Sequence, residues 1–122
     1  MLIDDCVDVE LSLSLSNGKP RLAADILSLM LAELKQNHTD INNAFRESRF
    51  DDALELIHKL HGACCYCGVP QLKAICKRLE KQLSAQRCLP ALDDILLFDE
   101  IVETLLVWHA AHDIHQVFLL DK

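Results

Sequence analysis

An all-α fold is predicted: an antiparallel four-helix bundle with an additional short helix on its N-terminal side. Three observations predict it. The 122 residues include only 3 Gly and 3 Pro, too few breakers for a chain of many turns. Hydrophobic residues make up 51% of the chain, enough to fill a core. Apolar residues recur in steps of three and four along most of its length, the spacing of helices with one buried face. The length suits one domain over residues 1–122, with an N-terminal helix and turn at about 8–19 and the bundle at about 20–118.

The elements follow in order. Val9 to Ser16 alternates Leu with Ser and has the look of a strand, with Leu11, Leu13 and Leu15 on one side. No second strand exists to pair with it, so a short helix is expected. Asn17-Gly18-Lys19-Pro20 is a turn, and Pro20 suits the first turn of a helix reaching about Gln36. Its inward stripe reads Leu22, Ile26, Leu29, Met30 and Leu34. Thr39 can cap a further helix with Ile41, Ala44 and Phe45 inside. Asp51 and Asp52 favour a helix start, after which Ala53, Ile57, Leu60, Cys64 and Cys67 form a stripe up to Gly68, read as a C-terminal cap. Pro70 opens the next helix, with Leu72, Ile75, Cys76, Leu79 and Leu83 inside and Lys73, Lys77 and Lys81 along another face. Leu89-Pro90 breaks the chain. Asp93 and Asp94 begin the last long helix, whose stripe is Phe98, Ile101, Val102, Leu105, Trp108 and His112, a seam ending in a frayed terminus.

Composition narrows the function. No apolar stretch reaches the roughly 18 residues of a membrane span, so no membrane contact is expected. Met1 to Glu10 carries four acids and no base, unlike a signal peptide, and the location expected is the cytoplasm. The six cysteines therefore read as reduced, mostly buried thiols, with Cys76 and Tyr66 as packing residues. Charge is uneven within a net −7. From His58 to Cys88 six bases (Lys59, Lys73, Lys77, Arg78, Lys81, Arg87) meet one acid, Glu80, a local +5. Such an island is a candidate docking site for an anionic partner or a phosphate, the alternative being a solvated helix face. Nucleic acid fits poorly, because the remaining surfaces are acidic.

The chemistry concentrates in Ile57-His58-Lys59-Leu60-His61-Gly62-Ala63-Cys64-Cys65-Tyr66-Cys67-Gly68. With Ile57 and Leu60 inward, His58 lies at the edge of the stripe on a face with His61, Gly62 and Cys65. A glycine inside a helix costs about 1 kcal/mol relative to alanine. One turn after His58, Gly62 leaves room for another molecule to approach the imidazole. Neutral imidazole is a nucleophile near pH 7, and nearby cations suit the anion it would acquire.

This segment resembles the histidine phosphotransfer (HPt) family. Its motif, His-x-Leu-Lys-Gly followed by five residues and a second Gly, is met by His58, Leu60, Gly62 and Gly68, with His61 in place of the usual Lys. That variant, followed by Cys67-Gly68-Val69-Pro70-Gln71-Leu72, is similar to the HPt domains that end hybrid sensor kinases of the BarA/GacS type. The likeness extends to the acidic, leucine-rich start, to Phe50-Asp51-Asp52 and to Leu79-Glu80.

The resemblance implies a phosphorelay carrier. His58 would be the phosphoacceptor, attacking a receiver's aspartyl-phosphate through Nε2. Glu80 would accept a hydrogen bond from its Nδ1–H, and His61 would stand where the family's Lys contacts the phosphoryl group, with Lys59 as a substitute. Gly62, Cys65, Lys73, Lys77 and Lys81 would form the docking face for the receiver domain of a hybrid sensor kinase and for a response regulator. The chain would act as a monomer, the cytoplasmic C-terminal part of an inner-membrane sensor kinase being one setting for it. No cofactor or metal is expected in this chain, Mg²⁺ belonging to the partner receiver. None of Gly18, Gly62 and Gly68 makes a phosphate-cradling loop, so ATP-dependent self-phosphorylation is not expected.

The alternative is a metal-binding or redox module. His58, His61, Cys64, Cys65 and Cys67 include a Cys-x-x-Cys and pairs at ligand spacing. Against it, these side chains point around more than half of one helix, and the Cys-x-x-Cys lies near a C-terminus, where the dipole does not favour thiolate. His109, His112 and His115 drift around their helix in the same way, leaving at most two for one ligand. A passive dimerisation bundle is a further reading, opposed by the basic island.

Overall fold

A computed structural model describes residues 6–120; the first five residues of the acidic start and the last two lie outside it. Six helices are found among the described residues, and no strand: α1 (Val9–Leu15), α2 (Pro20–Arg46), α3 (Phe50–Cys64), α4 (Pro70–Ala85), α5 (Leu92–Ala111) and α6 (Ile114–Leu120). Helices α2 to α5 form the bundle. α2 packs against α3, α3 against α4, α4 against α5 and α5 back against α2. Side-chain pairs tie α5 to its neighbours: His38 of α2 meets Asp99, and Arg78 of α4 meets Asp94.

Local chemistry places the ends. Asp8 caps α1 by accepting from the Leu11 N–H at 2.9 Å, and the Leu-Ser alternation is helical. Asn17 and Gly18 take positive φ (56° and 74°) in the turn that delivers Pro20 to the first position of α2. Pro70 likewise opens α4. Asp51 and Asp52 sit in the first turn of α3.

α2 corrects two expectations. It runs unbroken from Pro20 to Arg46, where a second helix starting near Thr39 was expected. The polar residues of that stretch are satisfied without a break: Thr39 Oγ1 donates to the Lys35 carbonyl at 3.0 Å, and His38 and Asn42 reach Asp99. Its inward face is also rotated. Ala23, Ala24, Leu27, Met30, Leu31 and Leu34 are buried, whereas Leu22 and Leu29 are exposed, Leu29 to 69%. Small residues, Ala23 and Ala24, take positions that an apolar count gives to leucine.

Elsewhere the stripes match. Ala53, Ile57, Leu60, Cys64 and Cys67, the five apolar positions of α4, and Phe98, Ile101, Val102, Leu105 and Trp108 of α5 are buried. His112 ends α5 half-buried, stacked on Trp108 with ring centroids 4.6 Å apart. Beyond it the chain does not fray: α6 folds onto α2 and buries Ile114 and Phe118. Asp94 does more than favour a helix start. It is buried, paired to Arg78 Nη2 at 2.6 Å, and accepts from Gln82 Nε2 at 2.6 Å.

Gly68 is not a helix cap. α3 ends at Cys64, and Cys65 after it stays right-handed. Gly68 instead joins α1 to the α3–α4 connection: its N–H donates to Ser12 Oγ at 2.8 Å and its carbonyl accepts from the Asp8 N–H at 2.7 Å. A Cβ here would overlap the Asp8 carbonyl and the Ser12 hydroxyl and lie 2.9 Å from the Ser12 nitrogen. The residue is required by close approach of two backbones.

Candidate functional site

A helix turns 100° per residue, so burying Ile57 and Leu60 leaves His58 outside the seam. Its side chain is 72% exposed. The imidazole nevertheless has a fixed partner, since Nδ1 lies 2.5 Å from Glu80 Oε2 on α4. A carboxylate can only accept, so Nδ1 carries the hydrogen, and in the neutral ring Nε2 keeps its lone pair.

Glu80 is drawn between two histidines. Its other oxygen, Oε1, lies 3.2 Å from Nδ1 of His61, and the His61 and Glu80 side chains are only 20% and 22% exposed. His61 Nε2 is buried with no hydrogen-bond partner. Of its two ring nitrogens, Nε2 is enclosed and Nδ1 faces the Glu80 carboxylate.

Gly62 is exposed, and a Cβ there would meet nothing within 4 Å. Cys65, one turn further, is half-buried, and Leu60 is buried beneath. Tyr66 is 65% exposed, correcting its reading as a packing residue; it borders Ile26 and Leu29 of α2. Lys73 and Lys77 line an apolar groove with Leu11, Leu15 and Pro70.

The basic island is smaller than its sequence count. Arg78 is taken by Asp94 at 2.6 Å, Arg87 by Asp51 at 2.6 Å and Lys59 by Glu55 at 3.5 Å. Among the described residues, Lys73, Lys77 and Lys81 have no ion-pair partner, and all three are exposed. The structure thus gathers His58, His61, Glu80 and Gly62 around one imidazole, turns Lys59 back along its own helix, and leaves three lysines in a row on α4.

Two thiols, Cys64 and Cys67, are held protonated. The Cys64 thiol is pushed up by its hydrogen bond with Cys76 and by burial, and burial pushes the Cys67 thiol up to about 12. No disulfide joins Cys64, Cys65, Cys67, Cys76 and Cys88. Among the described residues no three His, Cys, Asp or Glu side chains gather in a form that could hold a metal ion. His112 Nδ1 faces the Trp108 carbonyl, and His115 pairs with Asp25 at 2.8 Å. The metal or redox alternative finds no support.

Residues 25–108 match the Hpt domain family. This chain belongs to that family. The sensor histidine kinase GacS of Pseudomonas protegens is 40% identical over 91 residues, 73% of this chain and 10% of that protein. The signal transduction histidine-protein kinase BarA of Escherichia coli is 36% identical over 77 residues, 63% of this chain and 8% of BarA. The chain thus spans about a tenth of the length of the curated relatives it matches. A crystal structure of the HPT domain from a hybrid sensor histidine kinase of Shewanella superposes with a TM-score of 0.75 at 31% identity, covering 94% of this chain and 95% of that one. As an Hpt domain the chain is a histidine phosphotransfer module of phosphorelay signalling.

The bundle sets one histidine apart. Of the chain's 6 histidines, His58 combines a largely exposed ring, a carboxylate on Nδ1 and a side-chain-free neighbour one turn along. What the sequence did not reveal was the second contact to Glu80, from His61. A signal existed: residues i and i+3 on a helix face the same neighbour.

Proposed function

We propose that His58 is the phosphoacceptor of this HPt domain and that the module relays phosphoryl groups between aspartates. Nε2 attacks the phosphorus of a receiver's aspartyl-phosphate. The N–P bond forms as the P–O bond to the aspartate breaks, and the aspartate leaves as a carboxylate. No proton need depart, because Nδ1 keeps its hydrogen; the positive charge that the ring acquires lies against Glu80, 2.5 Å away. The reverse reaction passes the group to the aspartate of a response regulator. The arrangement suits a group carrier: it supplies positioning, while the partner supplies Mg²⁺ and the remaining carboxylates.

The single observation that carries this reading is the exposed imidazole whose Nδ1 is engaged by Glu80 while Nε2 has a lone pair toward solvent. The partners proposed are the receiver domain of a hybrid sensor kinase and a response regulator. Both would dock over Gly62 and Cys65, with Lys73, Lys77 and Lys81 alongside. We propose further that residues 1–122 work as one monomeric, cytoplasmic domain without a cofactor. No described helix is long and apolar enough to cross a membrane.

The test is transfer from a phosphorylated receiver, followed as acid-labile, alkali-stable label on this chain. Wild-type protein is expected to take the label and His58→Gln to take none. Label persisting on His58→Gln would remove the assignment.

A further inference from the structure

We propose that His61 is a positioning residue for His58, acting through Glu80 rather than on the phosphoryl group. The inference rests on His58 as phosphoacceptor. It begins from the division of one carboxylate between two rings: Oε2 to Nδ1 of His58 at 2.5 Å, Oε1 to Nδ1 of His61 at 3.2 Å.

The surroundings of His61 decide which nitrogen of the neutral ring carries the hydrogen. Nε2 is buried without a partner. A hydrogen on it would be a buried, unsatisfied donor, whereas a bare lone pair there is the lesser loss. The hydrogen is therefore assigned to Nδ1, which lies 3.2 Å from Oε1. In that form His61 has no nitrogen free for a phosphoryl group, because Nε2 is enclosed and Nδ1 faces the Glu80 carboxylate.

The consequence passes to His58. Glutamate has three rotatable side-chain bonds, and a 72% exposed ring is a poor anchor for it. His61 is as enclosed as Glu80, so its Nδ1 edge, 3.2 Å from Oε1, holds the carboxylate with Oε2 presented to His58. An unconstrained neutral histidine prefers its hydrogen on Nε2, the tautomer that cannot attack. Glu80, held by His61, reverses that preference and keeps the Nε2 lone pair outward. The residue standing where the family motif has Lys thus serves the same imidazole by another route: it orients the base instead of binding the anion.

The test combines tautomer and rate measurements on the whole chain. Nitrogen-15 NMR of the imidazoles is expected to show His58 with its hydrogen on Nδ1 in wild type and in His61→Asn, whose amide nitrogen replaces Nδ1. His61→Leu is expected to shift His58 toward the Nε2–H form and to slow uptake from a phosphorylated receiver about fivefold. His61→Gln, which places its amide nitrogen at the other ring position and keeps a polar side chain, provides a second variant should His61→Leu not fold. In a Glu80→Ala background, His61→Leu is expected to cause no further slowing. Two results overturn the proposal: equal slowing with and without Glu80, which marks a direct phosphoryl contact, or an unchanged His58 tautomer in His61→Leu and His61→Gln. If His58 shifts tautomer as expected but wild type accepts no label, the clamp is upheld and the phosphoacceptor assignment falls instead.

Discussion

Around Gly62 the surface is open; around Gly68, one and a half turns further on, it is filled by another segment of the same chain. A Cβ at Gly62 meets nothing within 4 Å, while one at Gly68 runs into the backbone of Asp8 and the side chain of Ser12. Their cysteine neighbours follow the same division: Cys65 is half-buried on the open face, and Cys67 is buried in the filled one. One glycine leaves open space, and the other has given its space to α1. If the proposed docking over Gly62 holds, substitutions at the two glycines should have opposite signatures.

The largest contrast lies in thiol chemistry. With the Cys67 thiol pushed up to about 12 from an ordinary 9.0, its thiolate fraction at pH 8 falls roughly a thousandfold. Alkylation of Cys67 in the folded protein is expected to be at least that much slower than in denaturant, as read by mass spectrometry. Comparable rates in the two states would mean that the seam opens readily. Next comes Gly68→Ala, which forces α1 off the connection and should lower stability by about 3 kcal/mol in denaturant titrations. Phosphoryl uptake, measured where the variant remains folded, should stay within about twofold of wild type.

Gly62→Gln should do the reverse. It fills the approach to His58 and should slow uptake about tenfold, while stability stays level or rises, because glycine is the poorer helix former by about 1 kcal/mol. If uptake is unchanged, the route to His58 lies elsewhere and the comparison fails on its functional side. Gly62→Ala separates the two effects, adding stability with little loss of rate. The smallest effect is expected of Ser12→Ala, which removes the acceptor for the Gly68 N–H and should cost about 1 kcal/mol. A loss equal to that of Gly68→Ala would show that the hydrogen bond, not the close approach, dominates the seam.

How legible this was in the sequence differs from element to element. α3 and α4 could be phased because each has one dense apolar stripe, whereas α5 also exposes Leu92, Leu96 and Val107 on other faces. α2 could not, having leucines on several faces and alanines on the buried one, so Leu22 and Leu29 were wrongly placed inside. The polar run near Thr39 looked like a boundary because a sequence does not show that Asp99, 61 residues from His38, completes its hydrogen bonds. α6 was missed for a similar reason: seven residues are too few for a pattern, and only α2 gives Phe118 somewhere to bury. At the site, motif spacing and resemblance named His58, Gly62 and Glu80, but not the sharing of Glu80.

By itself the sequence determined what one helix can encode. That covers the helical class of the chain, the inward stripe that leaves His58 outside, and a gap one turn beyond it. These depend on residues three or four apart, and a 100° turn per residue fixes their relation. Only the tertiary structure decided which groups from distant segments meet: Glu80 between two imidazoles, α1 against Gly68, Asp94 and Asp51 neutralising Arg78 and Arg87. Those pairings depend on how the helices slide and rotate against one another. Core packing sets that register, and no local spacing records it.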